Sequence, residues 1–209
     1  MMRVLCSLLL LAFGGIAQAA LVDFEDVAAT TPCVSFPNPC PASITTPQNF
    51  VFTVTNADNG NEVYVTSSNT SDGNFITALG PPDGYVAITV THQSGQAFSL
   101  TALDVFVADV FEGGLPGFAT VSGFDAASTS LGMQTVSRVG SGWESVALDG
   151  RWGPLHSVVV EGDFICTFGC FWTFPSVDNF TASVIPVPAA VWLFGSALFG
   201  LGWVRAKQS

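Results

Sequence analysis

The chain has 209 residues, 49% apolar and only 10% charged, with 16 acidic residues against five basic ones. A composition so apolar and so weakly charged excludes disorder as the overall description. All 16 acids lie between Asp23 and Asp178, where Arg138 and Arg151 are the only cations; two against 16 leaves that stretch at −14, a field that repels nucleic acid and anionic lipid and suits divalent cations or solubility outside a cell.

Taken in order, Met1–Ala19 reads as a secretory signal peptide, with Arg3 as the positive region, Val4–Ile16 as the apolar run and Ala17-Gln18-Ala19 as the cleavage site. Residues 20–184 are then the exported part, long enough for one domain with a sizeable core. Almost none of it has helical period. Runs of Val, Ile, Thr and Phe alternate with Gly, Pro, Asn, Asp and Ser, the pattern of an all-β chain.

Ala20–Phe24 opens as a strand. Thr30–Pro47, with five prolines and Cys33 and Cys40, is expected as a stapled loop. Phe50, Phe52 and Val54 alternate with Val51, Thr53 and Thr55 as a half-buried strand. Asp58-Asn59-Gly60-Asn61 should then turn the chain into Val63–Thr66. Gly80-Pro81-Pro82-Asp83-Gly84 is a second turn, before a strand over Tyr85–Thr91. In Gln96–Val110 the apolar phase slips at Thr101-Ala102, which predicts a bulge or a sharp bend between two strands. Shorter strands are expected at Ala119–Phe124, Gly132–Val136, Trp143–Leu148, Ser157–Glu161 and Val177–Val184. This many strands at such short spacing predict an antiparallel two-sheet β-sandwich.

Four cysteines follow the signal peptide, and in an exported chain an even number points to disulfides, with three possible connectivities. Proximity favours Cys33–Cys40 and Cys166–Cys170. No nucleophile elbow, His-Glu-x-x-His helix or phosphate-cradling loop occurs. His92 and His156 read as strand-end surface residues. Glu144, Glu161 and Asp163 are the acids from which a glycosidase pair would have to come. Trp143, Trp152 and Trp172, with Tyr64 and Tyr85, offer flat faces for sugar rings, against the ordinary alternative that they fill the core.

The chain closes on Ile185-Pro186-Val187-Pro188-Ala189, an uncharged apolar run over 189–204 with Trp192 and Trp203 near its ends, and a polar tail holding Arg205 and Lys207. That run is about 24 Å long as a helix, slightly under a hydrocarbon core of about 30 Å. The order of Pro-containing element, apolar helix and basic end resembles the PEP-CTERM sorting signal in its VPLPA version. The likeness rests on Ile185–Ala190, Trp192-Leu193-Phe194-Gly195-Ser196, Gly200-Leu201 and Arg205. It departs at Val187, where the commonest form has glutamate, and in its thin basic cluster. The resemblance implies an exosortase-type membrane protease as partner, a passing stay in the inner membrane with the domain outside and Arg205 and Lys207 cytoplasmic, and then the cell surface or beyond. A plain C-terminal membrane anchor is the alternative.

A second likeness runs through Phe24-Glu25, Val121–Asp125, Trp143–Val146 and Val177-Asp178-Asn179-Phe180, which together look like galactose-binding-type jelly rolls, similar to carbohydrate-binding modules. Domains of that type bring their chain ends together. This implies a structural calcium held by Glu25 and Asp178, with carboxylate and carbonyl oxygens as ligands; the alternative is that both are ordinary surface acids, one at a strand end and one in a turn. The expectation is a non-enzymatic exported surface or matrix protein associated with extracellular polysaccharide. The alternatives are a lectin-like glycan-binding module, with Trp143, Trp152 or Trp172 on the sugar, and a secreted carbohydrate-active enzyme.

Overall fold

The computed structural model describes residues 19–27, 42–55, 62–67, 73–79, 86–107, 116–148, 151–162, 164–166, 170–172 and 175–185; the side chains at 62, 64–67, 79, 164–166 and 170–172 are not among them. The signal peptide, the sorting tail beyond Ile185, the turns at 58–61 and 80–84, and Cys33 and Cys40 lie outside the described residues. Among the described residues no helix is long and apolar enough to cross a membrane. Ala19–Val184 is a compact unit of its own.

That unit is all-β. Its strands are β1 (Ala19–Val22), β2 (Ser43–Thr45), β3 (Phe50–Val54), β4 (Glu62–Ser67), β5 (Asn74–Leu79), β6 (Ala87–His92), β7 (Phe98–Val107), β8 (Pro116–Phe124), β9 (Ser130–Val139), β10 (Gly142–Ala147), β11 (Ser157–Gly162), β12 (Phe164–Cys166), β13 (Cys170–Trp172) and β14 (Ser176–Val184). Sheet A runs β10-β7-β14-β5-β4, with β1 also on β14; sheet B runs β2-β3-β6-β11-β8-β9; β12 and β13 pair as a hairpin. All pairings are antiparallel. The expected two-sheet sandwich is the observed architecture.

Strict alternation explains the core. In β3 the side chains of Phe50, Phe52 and Val54 turn inward while Val51 and Thr53 turn out, and in β11 Val158 and Val160 turn inward. Phe50 and Phe52 of sheet B meet Phe98 and Phe180 of sheet A edge-on, with ring centroids 5.1–5.6 Å apart, a favoured aromatic geometry. Phe24 joins them at 5.0 Å from Phe52, because its positive φ of 59° turns the chain out of β1 and drops the ring into the core. This is why the first strand ends at Val22 rather than at Phe24.

Where the apolar phase slips at Thr101, the chain stays in one strand and bulges. Thr181 lies opposite Ala102 and Ala182 opposite Leu100, so Thr101 is the extra residue. A complementary irregularity sits in β14, where Asp178 faces Asp104 but Thr181 faces Ala102, and Asn179 takes a positive φ of 48°. One bulge in each strand restores the register, so both strands keep their apolar side chains inward on either side of the pair.

Four strands were not expected. β2 lies in the segment read as a loop, three residues long and too short for a pattern. β5 carries apolar side chains on both faces, Phe75 outward and Ile76 inward, which erases the period of two. β12 and β13 are three residues each, and their register sets Cys166 opposite Cys170, a placement within the reach of a disulfide.

Candidate functional site

The outer face of sheet A departs from an ordinary solvated sheet. Trp143 of β10 lies opposite Phe106 of β7, and the rings touch edge-on at 5.4 Å. Trp143 also meets Phe75 of β5 at 5.2 Å. β10 and β5 are separated by β7 and β14, about 14 Å at the usual strand spacing. The two side chains therefore lean towards each other above those strands. Thr77, Ser176 and Asp178 alternate away from the core on this half-covered face and are nonetheless buried.

Beneath and beside the rings runs a polar strip. The Ser176 hydroxyl donates to Thr77 Oγ1 at 2.8 Å, and Ser145 Oγ donates to Asp104 Oδ1 at 2.6 Å. Asn179 donates its side-chain amide to Asp104 Oδ2 at 2.8 Å and its main-chain N–H to Asp178 Oδ1 at 2.7 Å. The β14 bulge is what lets one asparagine serve both carboxylates.

β1 and β5 share one edge of β14, end to end: Val22 pairs Phe180, and Ile76 pairs Val177. Glu25 closes this seam, its Oε1 accepting the Asn74 N–H at 2.6 Å. Gly73, at φ +86°, leaves room for that carboxylate, since a Cβ there would run into it. Asp178 lies on β14 between the residues that pair β5 and β1. Burial pushes the Asp178 carboxyl up to about 6, Asp104, Asp23 and Glu25 push the same way, and the Asn179 N–H opposes them. Among the described residues no group of three His, Cys, Asp or Glu side chains converges as a metal ligand set, and one Glu25 oxygen is already spent on Asn74.

Trp152 is placed differently. It packs half-buried against the core, where the paired glycines Gly123 and Gly132 of β8 and β9 open a window for its indole. A Cβ on Gly123 would stand 2.6 Å from the ring, and one on Gly132 would strike the pyrrole edge. Gly132→Val is accordingly expected to cost about 1–3 kcal/mol by overpacking, read as a lower unfolding midpoint; an unchanged midpoint would mean that the indole is not seated there. The side chain of Trp172, in β13, is outside the described residues.

Of the acids considered for catalysis, the two among the described residues lie on different sheets. Glu144 accepts from Arg138 at 2.7 Å, closing the sandwich between β9 and β10; Glu161 lies on β11 in the other sheet; Asp163 is outside the described residues. His92 Nδ1 is 2.7 Å from Ser94 Oγ, whose proton goes to Gln96 Oε1 at 2.9 Å. In that arrangement the imidazole donates to the serine rather than activating it. Phe75, Phe106, Asp104, Ser145 and Asn179 were not singled out from the sequence as site residues. For Asp104 the signal was there, a carboxylate alternating with the inward Leu103 and Val105.

No protein-family model matches the chain, and no curated protein matches it in sequence. Among solved structures, it is similar to a DUF4465 family protein from Bacteroides caccae (TM-score 0.47, 11% identity, covering 80% of this chain and 100% of that one). It is also similar to part of the arabinose-bound α-L-arabinofuranosidase MgGH51 (0.46, 14%, 82% and 27%), so it spans about a quarter of that enzyme. A third is the family 11 carbohydrate-binding module from Clostridium thermocellum in complex with a β-1,3-1,4-mixed-linked tetrasaccharide (0.34, 11%, 81% and 97%). At such identities and scores none of them lends this chain its ligand.

Proposed function

We propose that this chain is an exported, non-enzymatic protein whose β-sandwich holds an extracellular glycan on the outer face of sheet A. The observation that carries this is the half-exposed Trp143–Phe75–Phe106 trio beside Asp104, Ser145 and Asn179. Aromatic rings on the solvent side of a sheet give a sugar ring an apolar surface, and the adjoining carboxylate, hydroxyl and amide offer partners to its hydroxyls. A non-enzymatic role is favoured by the tethering of Glu144 and by the donor role of His92 towards Ser94. The test is retention of residues 20–184 on the host's own immobilised exopolysaccharide. Trp143→Ala should weaken retention by about tenfold or more, as loss of one buried aromatic contact does. No retention of the parent, or retention indifferent to Trp143→Ala, would overturn the reading in favour of a purely structural matrix protein.

Delivery is the second part of the proposal, and its support is the ordered motif at residues 185–209. An exosortase-type protease reads Ile185–Ala189, the apolar helix and Arg205, and removes the helix. Replacing Pro188 or deleting residues 205–209 should leave a longer, membrane-held form on an immunoblot. Chain isolated from its host with Ser209 still present would instead identify a permanent anchor.

A further inference from the structure

We propose that β9 is a self-association edge, to which a second copy of this chain adds its own β9 antiparallel about a two-fold axis at Thr135. β9 ends sheet B and is ten residues long. Among the described residues its main chain bonds only along the ladder to β8. Exposed edges are normally blunted by proline, lysine, inward-pointing charge, a bulge or very short length. Here there is no proline, no lysine and no acid in Ser130–Val139; the inward Arg138 is tied to Glu144, and the bulge at Leu131 sits at the start of the strand, leaving Gly132–Arg138 as a regular edge. The opposite edge of the same sheet, β2, has three residues.

The side chains on the solvent side point the same way. Met133 is 68% exposed, Val139 66%, Phe118 41% and Leu131 38%, and all four stand on β8 and β9. An antiparallel copy centred on Thr135 sets Met133 opposite the copy's Ser137, within the regular stretch of β9, and leaves the bulged Leu131 near the copy's Val139 at the end of the ladder. Ser137 pairs with Phe118 in β8, so each methionine can lie over the small serine towards the copy's Phe118. The patch is thus self-complementary, as a two-fold interface requires.

Charge selects the same place. Two bodies at −14 each repel, and contact is cheapest where neither presents carboxylates. Of the strands of sheet B only β11 carries one, Glu161, two strands inward from β9. Asp125, in the turn before β9, is engaged by the N–H groups of Ala127 and Thr129 at 2.8 Å each. Because the long-range repulsion is screened by salt while the strand pairing is not, association should strengthen as salt is added.

Sedimentation equilibrium on residues 20–184, a unit that contains both sheets and their whole core, tests this over rising concentration. A monomer–dimer equilibrium is expected in the micromolar to millimolar range, tighter in higher salt. Met133→Glu should weaken it by about tenfold or more through like charges brought together, with an unchanged melting midpoint because that side chain is already in solvent. Thr135→Cys should give an interchain disulfide under mild oxidation, whereas Ser43→Cys, on β2, should not. A domain monomeric up to millimolar concentration at all salts, or a dimer indifferent to Met133→Glu, would overturn the assignment.

Discussion

Replacing Phe180 by alanine is expected to remove about 3–5 kcal/mol of folding stability, the usual cost of a large aromatic lost from a core. Phe180 is fully buried and meets Phe50, Phe52 and Phe98, so its ring joins sheet A to sheet B. It also follows the bulge at Asn179 directly, and the cavity would open beside the residues that hold the seam between β1 and β5. Since a domain of this size is commonly stable by about 5–15 kcal/mol, the variant should unfold at a much lower urea concentration. Phe106→Ala makes the contrast. That ring lies on the outer face, half-exposed and in contact with Trp143, and its loss should cost far less. Equal losses for the two would mean that the aromatic core does not join the sheets as described.

Much of the sandwich is legible in the sequence, because burial on one face writes a period of two into a strand. Phe50, Phe52 and Val54 alternate in the sequence and alternate in burial. The slip at Thr101 was visible for the same reason: a bulge changes which residues face the core, and the apolar phase changes with it. β5 was hidden by the opposite circumstance. Phe75 is held on the outer face by Trp143 while Ile76 and Ala78 fill the inner one, so two occupied faces leave no alternation to see.

The candidate site was legible only in part. Trp143 stood out as an aromatic, but its partners come from strands 37 and 68 residues earlier in the chain, at Phe106 and Phe75, and nothing local announces that they converge. Trp152 looked equivalent to it in sequence. Only the cross-strand pairing of Gly123 with Gly132 separates them, by making a window in sheet B that one indole fills. The pairing of β1 with β14 followed from the expectation that the two ends of the domain lie together. What the residues alone did not reveal was Asn74, whose N–H already occupies one oxygen of Glu25.

That seam sets the other large effect. Asp178 is only 5% exposed, and its pKa is raised from 3.8 to about 6, first by burial and then by Asp104, Asp23 and Glu25. Between those two values the folded chain keeps a proton that the unfolded chain has released. Stability contributed by this group is therefore greatest at low pH, falls as pH rises from about 4, and is lost above about 6. The full displacement corresponds to at most about 3 kcal/mol. Asp178→Asn removes the charge and keeps an oxygen for the Asn179 N–H. In chelator, the variant is expected to be more stable than the parent by about 1–3 kcal/mol at pH 8, and the difference should vanish as pH falls below about 4. Urea titrations of residues 20–184 across that range provide the measurement. A difference that does not change with pH would show that Asp178 ionises freely in the folded chain. Calcium supplies the second arm, because a cation bound only by the folded form adds stability by mass action. If Glu25 and Asp178 hold it, calcium at pH 8 should raise the parent's midpoint, leave Asp178→Asn unmoved, and so narrow or invert their order. Two curves that shift together, or not at all, would remove the calcium site and leave the carboxylate as a cost that the fold carries at neutral pH.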